Sequence, residues 1–227
     1  MTSGAPAYSR RVAGRVPIIG YGAGGHARSL LEALRSGTAF DVVALVDDDR
    51  SLADTTVLGV PVLAGDGAFG SLREQGVENA FVGIGGVVHR DRRRHAFARL
   101  LEAGFKLPQV IHATASVSPW AELGRGVQVL AMAVVNTAAV LEDGAIINTG
   151  AIVEHDCVVG ASAHLGPRAT LGGEVKVGPD AHVGMGAVVV EGVEVGAGAF
   201  VAAGAVVVED VPSGARVGGV PARSLGN

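Results

Sequence analysis

From Ile111 to Val207 every sixth residue is aliphatic: Ile111, Val117, Leu123, Val129, Val135, Leu141, Ile147, Val153, Val159, Leu165, Leu171, Val177, Val183, Val189, Val195, Val201 and Val207. No insertion resets the phase. Two residues earlier the chain is usually small, as at Ala133, Ala145, Cys157, Ala163 and Ala169, with Val127, Val175 and Val193 as larger exceptions. Glycine often follows the aliphatic position, as at Gly124, Gly160, Gly166, Gly172, Gly178, Gly184 and Gly196. A helical period of 3.6 residues cannot hold that register. A strict six-residue repeat predicts a parallel β-helix, in which short strands coil and stack. Three hexads make one triangular coil, so residues eighteen apart become vertical neighbours and the repeat forms between five and six coils. With stacked strands ~4.8 Å apart, the prism is roughly 25 Å long.

Ahead of the repeat the pattern is different. Residues 16–20 (VPIIG) read as a buried strand, YGAGGHA as a glycine turn, and ARSLLEALRSG as a helix with Leu30, Leu31 and Leu34 on its apolar stripe. Gly37 stands where a helix stop belongs. Residues 41–46 form a second strand ending in Asp47, Asp48 and Asp49. Strand, glycine turn, helix, strand and acid follow the order of a nucleotide-binding βαβ unit. Further strands are predicted at 60–63 and 80–84, with helices near 67–75 and 89–103. The period changes around 104–110. The chain therefore divides into a flexible lead (1–14), an α/β domain (15–108) and the solenoid with a Gly- and Pro-rich cap (109–227).

Composition agrees with a narrow solenoid. Aromatics are only 4% of 227 residues while hydrophobic residues reach 48%, so small aliphatics must fill the core. Thirty-five glycines suit many tight corners that need unusual φ. A net charge of −4 favours neither nucleic acid nor an anionic membrane surface. One cysteine, Cys157, excludes an intrachain disulfide and fits a reducing cytosol. No apolar run approaches the ~18 residues of a membrane helix. The paired arginines near the start are followed by a segment too short and glycine-rich for an export signal. A cytoplasmic protein is expected.

The glycine turn, counted from Gly20, satisfies G-x-G-x-x-G, which lets backbone N–H groups at a helix start approach a phosphate. Without a ligand, the same residues make only a tight turn. Asp47 lies about 20 residues downstream, where a ribose-binding acid belongs. On the solenoid, His164 and His182 share a column, and Gly173 lies above His155. His155 sits between Glu154 and Asp156. An imidazole beside a carboxylate suits a general base near neutral pH, although a surface histidine on a polar corner would look the same.

The hexads, the turn GAGGHA, the segment INTGAIVEHDCVVG and the tail VGGVPAR together resemble one family over about residues 16–225. It comprises bacterial acetyltransferases acting on nucleotide-linked amino sugars and on sialic acid. The resemblance implies an α/β N-terminal Rossmann-like domain followed by a left-handed parallel β-helix. It implies acetyl-CoA as co-substrate, no metal, and a homotrimer with three sites at its subunit seams. Carried over by position, His155 would deprotonate the acceptor, Asp156 would raise its basicity, and Asn148 would be a polar site residue. His155 and Asp156 can pair only if the chain bends there; otherwise Glu154 must orient the ring. His164 would bind the acetyl-CoA carbonyl or pantetheine end, with Gly173, Met185 and Ala203 as further cofactor contacts. Gly24, Gly25, His26, Asp47, Asp48 and Gly85 would line the nucleotide-sugar pocket. The chain departs from the pattern at Gly86, where the family has Asn, and at Ala203, where it has Gly.

Amine and hydroxyl acceptors are both open, so the resemblance allows sugar N-acetylation or sialic acid O-acetylation. The matches at His26, Asp47 and Asp48 favour the amine of a nucleotide-linked sugar. A zinc hydratase of the six-repeat type would need three histidines converging at ~2.0–2.1 Å, and His155 lies nine residues from His164 on another face. A non-catalytic or ice-binding solenoid would need regular outward columns, which are lacking. Cys157 falls on an inward position and is read as core.

Overall fold

A computed structural model describes residues 14–65, 67–86 and 90–226. The lead expected over 1–14 falls outside this range except for Gly14. The chain forms two compact units. One comprises residues up to Gly85 together with His95–Leu107; the other comprises Gly86–Arg94 together with Pro108 onward.

The first unit holds a five-stranded sheet in the order β3-β4-β2-β1-β5. Its strands are β1 (Val16–Tyr21), β2 (Phe40–Asp47), β3 (Thr56–Val57), β4 (Val60–Ala64) and β5 (Asn79–Val82). All neighbours are parallel except β3, a short antiparallel edge that the sequence pattern did not announce. Helices α1 (Gly25–Ser36) and α2 (Ala68–Glu74) lie in this unit, and α3 (Arg90–Glu102) runs from the second into the first. Ile18, Ile19, Ala44, Leu45 and Val46 are fully buried, and Tyr21, Phe69 and Phe105 pack edge to face at 5.1 and 5.7 Å. Strand β1 lies between β2 and β5, so their carboxyl ends open a crevice at the point where strand order reverses.

The second unit is a parallel β-helix of the left-handed class. Two-residue strands recur once per hexad from β6 (Val110–Ile111) to β22 (Val206–Val207). Each pairs with the strand eighteen residues away, as in Val134↔Ile152 and His164↔His182. The second residue of each strand points inward; Val153, Val159, Leu165, Leu171 and Val183 are fully buried. The small residues at Ala133, Ala151, Cys157, Ala163 and Ala169 complete this core, because three faces meeting at an acute corner leave room for little more than a methyl group.

Two kinds of glycine serve the solenoid, for different reasons. The glycine after each aliphatic position has ordinary φ. A Cβ there would strike the backbone of the next coil, 2.6 Å from the nitrogen of Pro179 at Gly160 and 2.7 Å from that of Met185 at Gly166. Close approach, not unusual φ, excludes a side chain there. Two residues further on, the corner residue does take left-handed φ, between +63° and +73° at Gly126, Gly144, Gly150, Gly186, Gly192, Gly198 and Gly204. Met132, Ala138, Asp156, Ser162, Arg168, Glu174 and Asp180 occupy the same corner position in other coils, with φ from +56° to +60°. Beyond β22 the chain adds β23 (Arg216–Gly218), parallel to Phe200–Val201, and β24 (Arg223–Ser224), antiparallel to β23.

Segment 86–94 clusters with the solenoid through two arginines. Arg93 is buried and donates from Nη2 to the carbonyl of Ser162, while Arg94 pairs with Asp180 at 2.9 Å. Burial lowers the Arg93 pKa to about 10, and the nearby Asp180 charge opposes that shift.

Candidate active site

At the glycine turn each residue has its own task. A Cβ on Gly20 would lie 2.4 Å from Phe81 and 2.5 Å from Leu45, so this glycine serves sheet packing. Gly22 has φ +105° and makes the turn itself. Gly24 and Gly25, at the start of α1, have nothing within 4 Å of a built Cβ, and no side chain caps the helix. These N–H groups and the positive end of a twelve-residue helix suit a phosphate. His26 packs on Gly85, where a Cβ would lie 2.5 Å from the imidazole Cγ.

The acids at the end of β2 are engaged with the chain itself. Asp47 accepts the N–H of Ala23 at 2.7 Å and that of Asp49 at 2.9 Å, bracing the turn. Asp48 accepts from the hydroxyl of Tyr21 at 2.8 Å and pairs with Arg99 at 3.2 Å. The two oxygens of Asp47 each keep a second lone pair for a ligand hydroxyl, whereas Oδ2 of Asp48 accepts from both the tyrosine and the arginine. Gly24, Gly25, His26, Asp47, Asp48 and Gly85 are thus gathered at the carboxyl ends of β1, β2 and β5.

On the solenoid, His155 and Asp156 form the corner after Ile152–Val153. Left-handed backbone at Asp156, φ +59°, swings its side chain back onto its neighbour, so Oδ2 lies 2.8 Å from Nδ1 of His155. This is the bend that pairing requires. Glu154 is held elsewhere: it accepts from Asn136 Nδ2, one coil below, at 2.9 Å. With Nδ1 turned to Asp156, Nε2 of His155 is the nitrogen that can take a proton. The hydrogen bond that His155 Nδ1–H donates to Asp156 raises the His155 pKa above its ordinary value; desolvation opposes the rise, and the charges of Asp156, Glu154 and Glu191 add to it. The missing side chain of Gly173 leaves a space directly above His155. The ring fills it, and a Cβ on Gly173 would lie 2.7 Å from Cε1 and 2.8 Å from Nε2.

The remaining candidates stand elsewhere on the prism. Asn148 lies at the preceding corner, with Nδ2 3.1 Å from Nε2 of His164. Met185 and Ala203 are exposed on that corner in later coils, Met185 at 61%. A single chain therefore brings together His155, Asp156 and Gly173 on one side, and Asn148, His164, Met185 and Ala203 on another. His164 and His182 stack edge to face at 5.1 Å, and His182 stacks on Phe200 at 5.6 Å. Among the described residues no group of three His, Cys, Asp or Glu is arranged to hold a metal ion. Cys157 is buried and donates to the carbonyl of Gly172 at 3.1 Å; burial pushes its pKa up to about 11, which removes it as a thiolate nucleophile. Asn136 and Glu191 escaped sequence reasoning. Their signal is the eighteen-residue spacing, which places Asn136 below Glu154 and Glu191 two coils above His155.

Comparison with known proteins fits this layout. The family described as the PglD N-terminal domain matches residues 17–97. None of the curated proteins compared matches the chain. Among solved structures, a histidine-to-alanine variant of GDP-perosamine N-acetyltransferase from Caulobacter crescentus, in complex with CoA and GDP-perosamine, is 42% identical with a TM-score of 0.89; the match covers 97% of this chain and 100% of that one. The acetyltransferase domain of PglB from Neisseria gonorrhoeae, in complex with acetyl coenzyme A, is 37% identical with a TM-score of 0.84, covering 93% of this chain and 100% of that one. WeeI from Acinetobacter baumannii is 25% identical with a TM-score of 0.79, covering 93% and 100%. The fold and these relatives define a hexapeptide-repeat sugar acetyltransferase. The chain belongs to the family of PglD-type nucleotide-sugar N-acetyltransferases.

Proposed function

We propose that this protein transfers the acetyl group of acetyl-CoA to the amino group of a nucleotide-linked amino sugar. A GDP-linked 4-amino sugar of the perosamine kind is the first acceptor to test. The observation that carries the reading is the His155–Asp156 pair at 2.8 Å, set on a corner by left-handed backbone, in a chain 42% identical to an enzyme crystallised with CoA and GDP-perosamine. The nucleotide lies at the crevice of the α/β domain, its phosphates toward Gly24 and Gly25, with His26, Asp47, Asp48 and Gly85 around it. The sugar amine attacks the thioester carbonyl, forming the C–N bond. His155 Nε2 takes the amine proton, the C–S bond breaks and CoA leaves as a thiol. No covalent enzyme intermediate is required, consistent with the buried, unactivated Cys157.

Geometry supports a homotrimer for this reaction. His155 and His164 are nine residues apart, half of an eighteen-residue coil, so one prism cannot point both at one thioester. A ring of three copies places the His155 corner of one against the Asn148–His164 corner of the next. Gly173 then contributes to the cofactor groove from the first copy, and His164, Met185 and Ala203 from the second. None of the described helices is long and apolar enough to cross a membrane. A reaction between acetyl-CoA and a nucleotide-linked sugar supports a cytoplasmic location. The deciding experiment is a CoA-release assay with a GDP-linked 4-amino sugar, UDP- and dTDP-linked counterparts, and free sialic acid. Turnover with an amino sugar that disappears in His155→Ala is expected; turnover with sialic acid alone would replace N-acetylation by O-acetylation.

A further inference from the structure

Two corners of the solenoid carry different ladders of residues. Upward from the N-terminal foot of the prism, the His155 corner presents Trp120, Ala138, Asp156, Glu174 and Gly192, each eighteen residues after the last. The Asn148 corner presents Met132, Gly150, Arg168, Gly186 and Gly204. The lowest residue of each ladder is a large apolar side chain left in the open: Trp120 is 76% exposed and Met132 71%. Met132 also takes left-handed φ, +59°, where three of the four coils above it at that corner use glycine. Left-handed backbone disfavours a side chain of that size, and within one chain the methionine buries little in return. Between these corners lies the six-stranded sheet that runs from Ser116–Val117 to Val206–Val207. Above Ser116 its outward row is Val134, Ile152, Thr170, Val188 and Val206. An apolar row flanked by an exposed tryptophan and an exposed methionine marks a surface for a partner.

Resting on the shared-site reading above, we infer that this partner is a second copy of the chain, with Trp120 of one copy packed on Met132 of the next at the foot of every seam. Height along the prism follows residue number, at ~4.8 Å for each eighteen residues. Copies related by rotation about an axis along the prism keep equal heights. His155 and Asn148 then meet within about 2 Å of one level, and Trp120 and Met132 within about 3 Å. An indole and a thioether span that offset, and sulfur against an aromatic ring is a favourable contact. Higher on the same line, Arg168 of the one corner falls between the levels of Asp156 and Glu174 of the other. Arg168 and Glu174 are both exposed, so apolar meets apolar and cation meets acid along one seam. In a ring each corner meets only the other kind, so neither ladder has to match itself. The apolar row of the sheet turns to the three-fold axis in the same arrangement.

Trp120 is the only tryptophan, so its fluorescence reads this position alone. The test uses the full-length wild-type protein without substrates, its oligomeric state fixed by sedimentation. Blue-shifted emission, and quenching by acrylamide well below that of free tryptophan amide, are expected. Met132→Gly removes the partner side chain while relieving its own left-handed backbone, so a loss of assembly cannot be laid to a strained fold. It should open Trp120 to acrylamide and speed subunit exchange, followed by mass spectrometry, about tenfold or more, as loss of an interface anchor does. Trp120→Ala should speed exchange as much, and the double variant little beyond either single change, because both act on one contact. A verified trimer in which Trp120 is quenched like free tryptophan amide overturns the inference. So does a shielded Trp120 that ignores Met132→Gly, or one that is shielded only when a nucleotide sugar is added. Failure of the parent reading looks different: a protein that is monomeric in solution overturns the shared site and the seam together. An active trimer with an exposed Trp120 overturns the pairing alone.

Discussion

Gly173 has no side chain because the imidazole of His155 stands where one would go, and that contact sets the plane of the ring. In Gly173→Ala the new methyl group would lie 2.7 Å from Cε1, and the free end of the imidazole is the part that can yield. Folding should persist while the base moves off line, so kcat should fall at least about tenfold, as a displacement of about 1 Å can cost 100-fold. Thermal unfolding measured beside turnover separates the two effects. Asp156→Asn probes the other side of the ring. Asparagine accepts left-handed backbone, so the corner remains. As the proposed base, His155 must be neutral to act, and its pKa is held up first by the hydrogen bond to Asp156. Activity should therefore rise with pH through that elevated value in the wild type, and the acid limb should shift downward, toward about 6.5, in the variant. An unmoved limb in the pH–kcat/KM profile would detach Asp156 from the base. At this scale the sequence was informative where one-dimensional adjacency is spatial adjacency, as in Glu154-His155-Asp156. It could not choose between the two acids, because that choice depends on the sign of φ at residue 156.

At the scale of the coil the repeat was legible in full, since each inward position tolerates only an aliphatic or a small residue. The purpose of the glycines was not. Both sets recur every six residues, and the sequence does not say how closely the next turn of backbone passes. The structure separates them, and stability measurements should too. Gly160→Ala sets a methyl group 2.6 Å from the nitrogen of Pro179, a backbone atom that cannot step aside, and should cost about 1–3 kcal/mol, as overpacking does. Gly186→Asn places a residue tolerant of φ +66° in open space and should change stability by no more than about 0.5 kcal/mol. Denaturant unfolding of the two variants decides it. Equal losses would mean that φ governs both positions.

For the molecule as a whole, the proposed site shared between two copies makes a prediction that no single-chain site shares. His155→Ala and Asn148→Ala should each be nearly inactive. Trimers formed from an equal mixture will contain seams where an intact His155 faces an intact Asn148. Random assembly of a three-membered ring with one kind of seam gives about one quarter of wild-type activity. No recovery on mixing, with hybrid trimers verified by mass spectrometry, would place both residues in one chain's site. The sequence supplied the half-coil separation that motivates this test, but it carried no direct sign of which faces meet. The strand ladder has a consequence of another kind. Because every solenoid strand pairs with one eighteen residues away, the chain can lay down each coil on the one before it as it leaves the ribosome, without waiting for distant segments. Such a process leaves a growing end whose unpaired backbone invites one more coil from any neighbouring copy. Strand β24 runs antiparallel across β23. On that one of the three faces, the reversal presents the wrong polarity for another parallel coil and blunts the edge that a neighbouring copy would need.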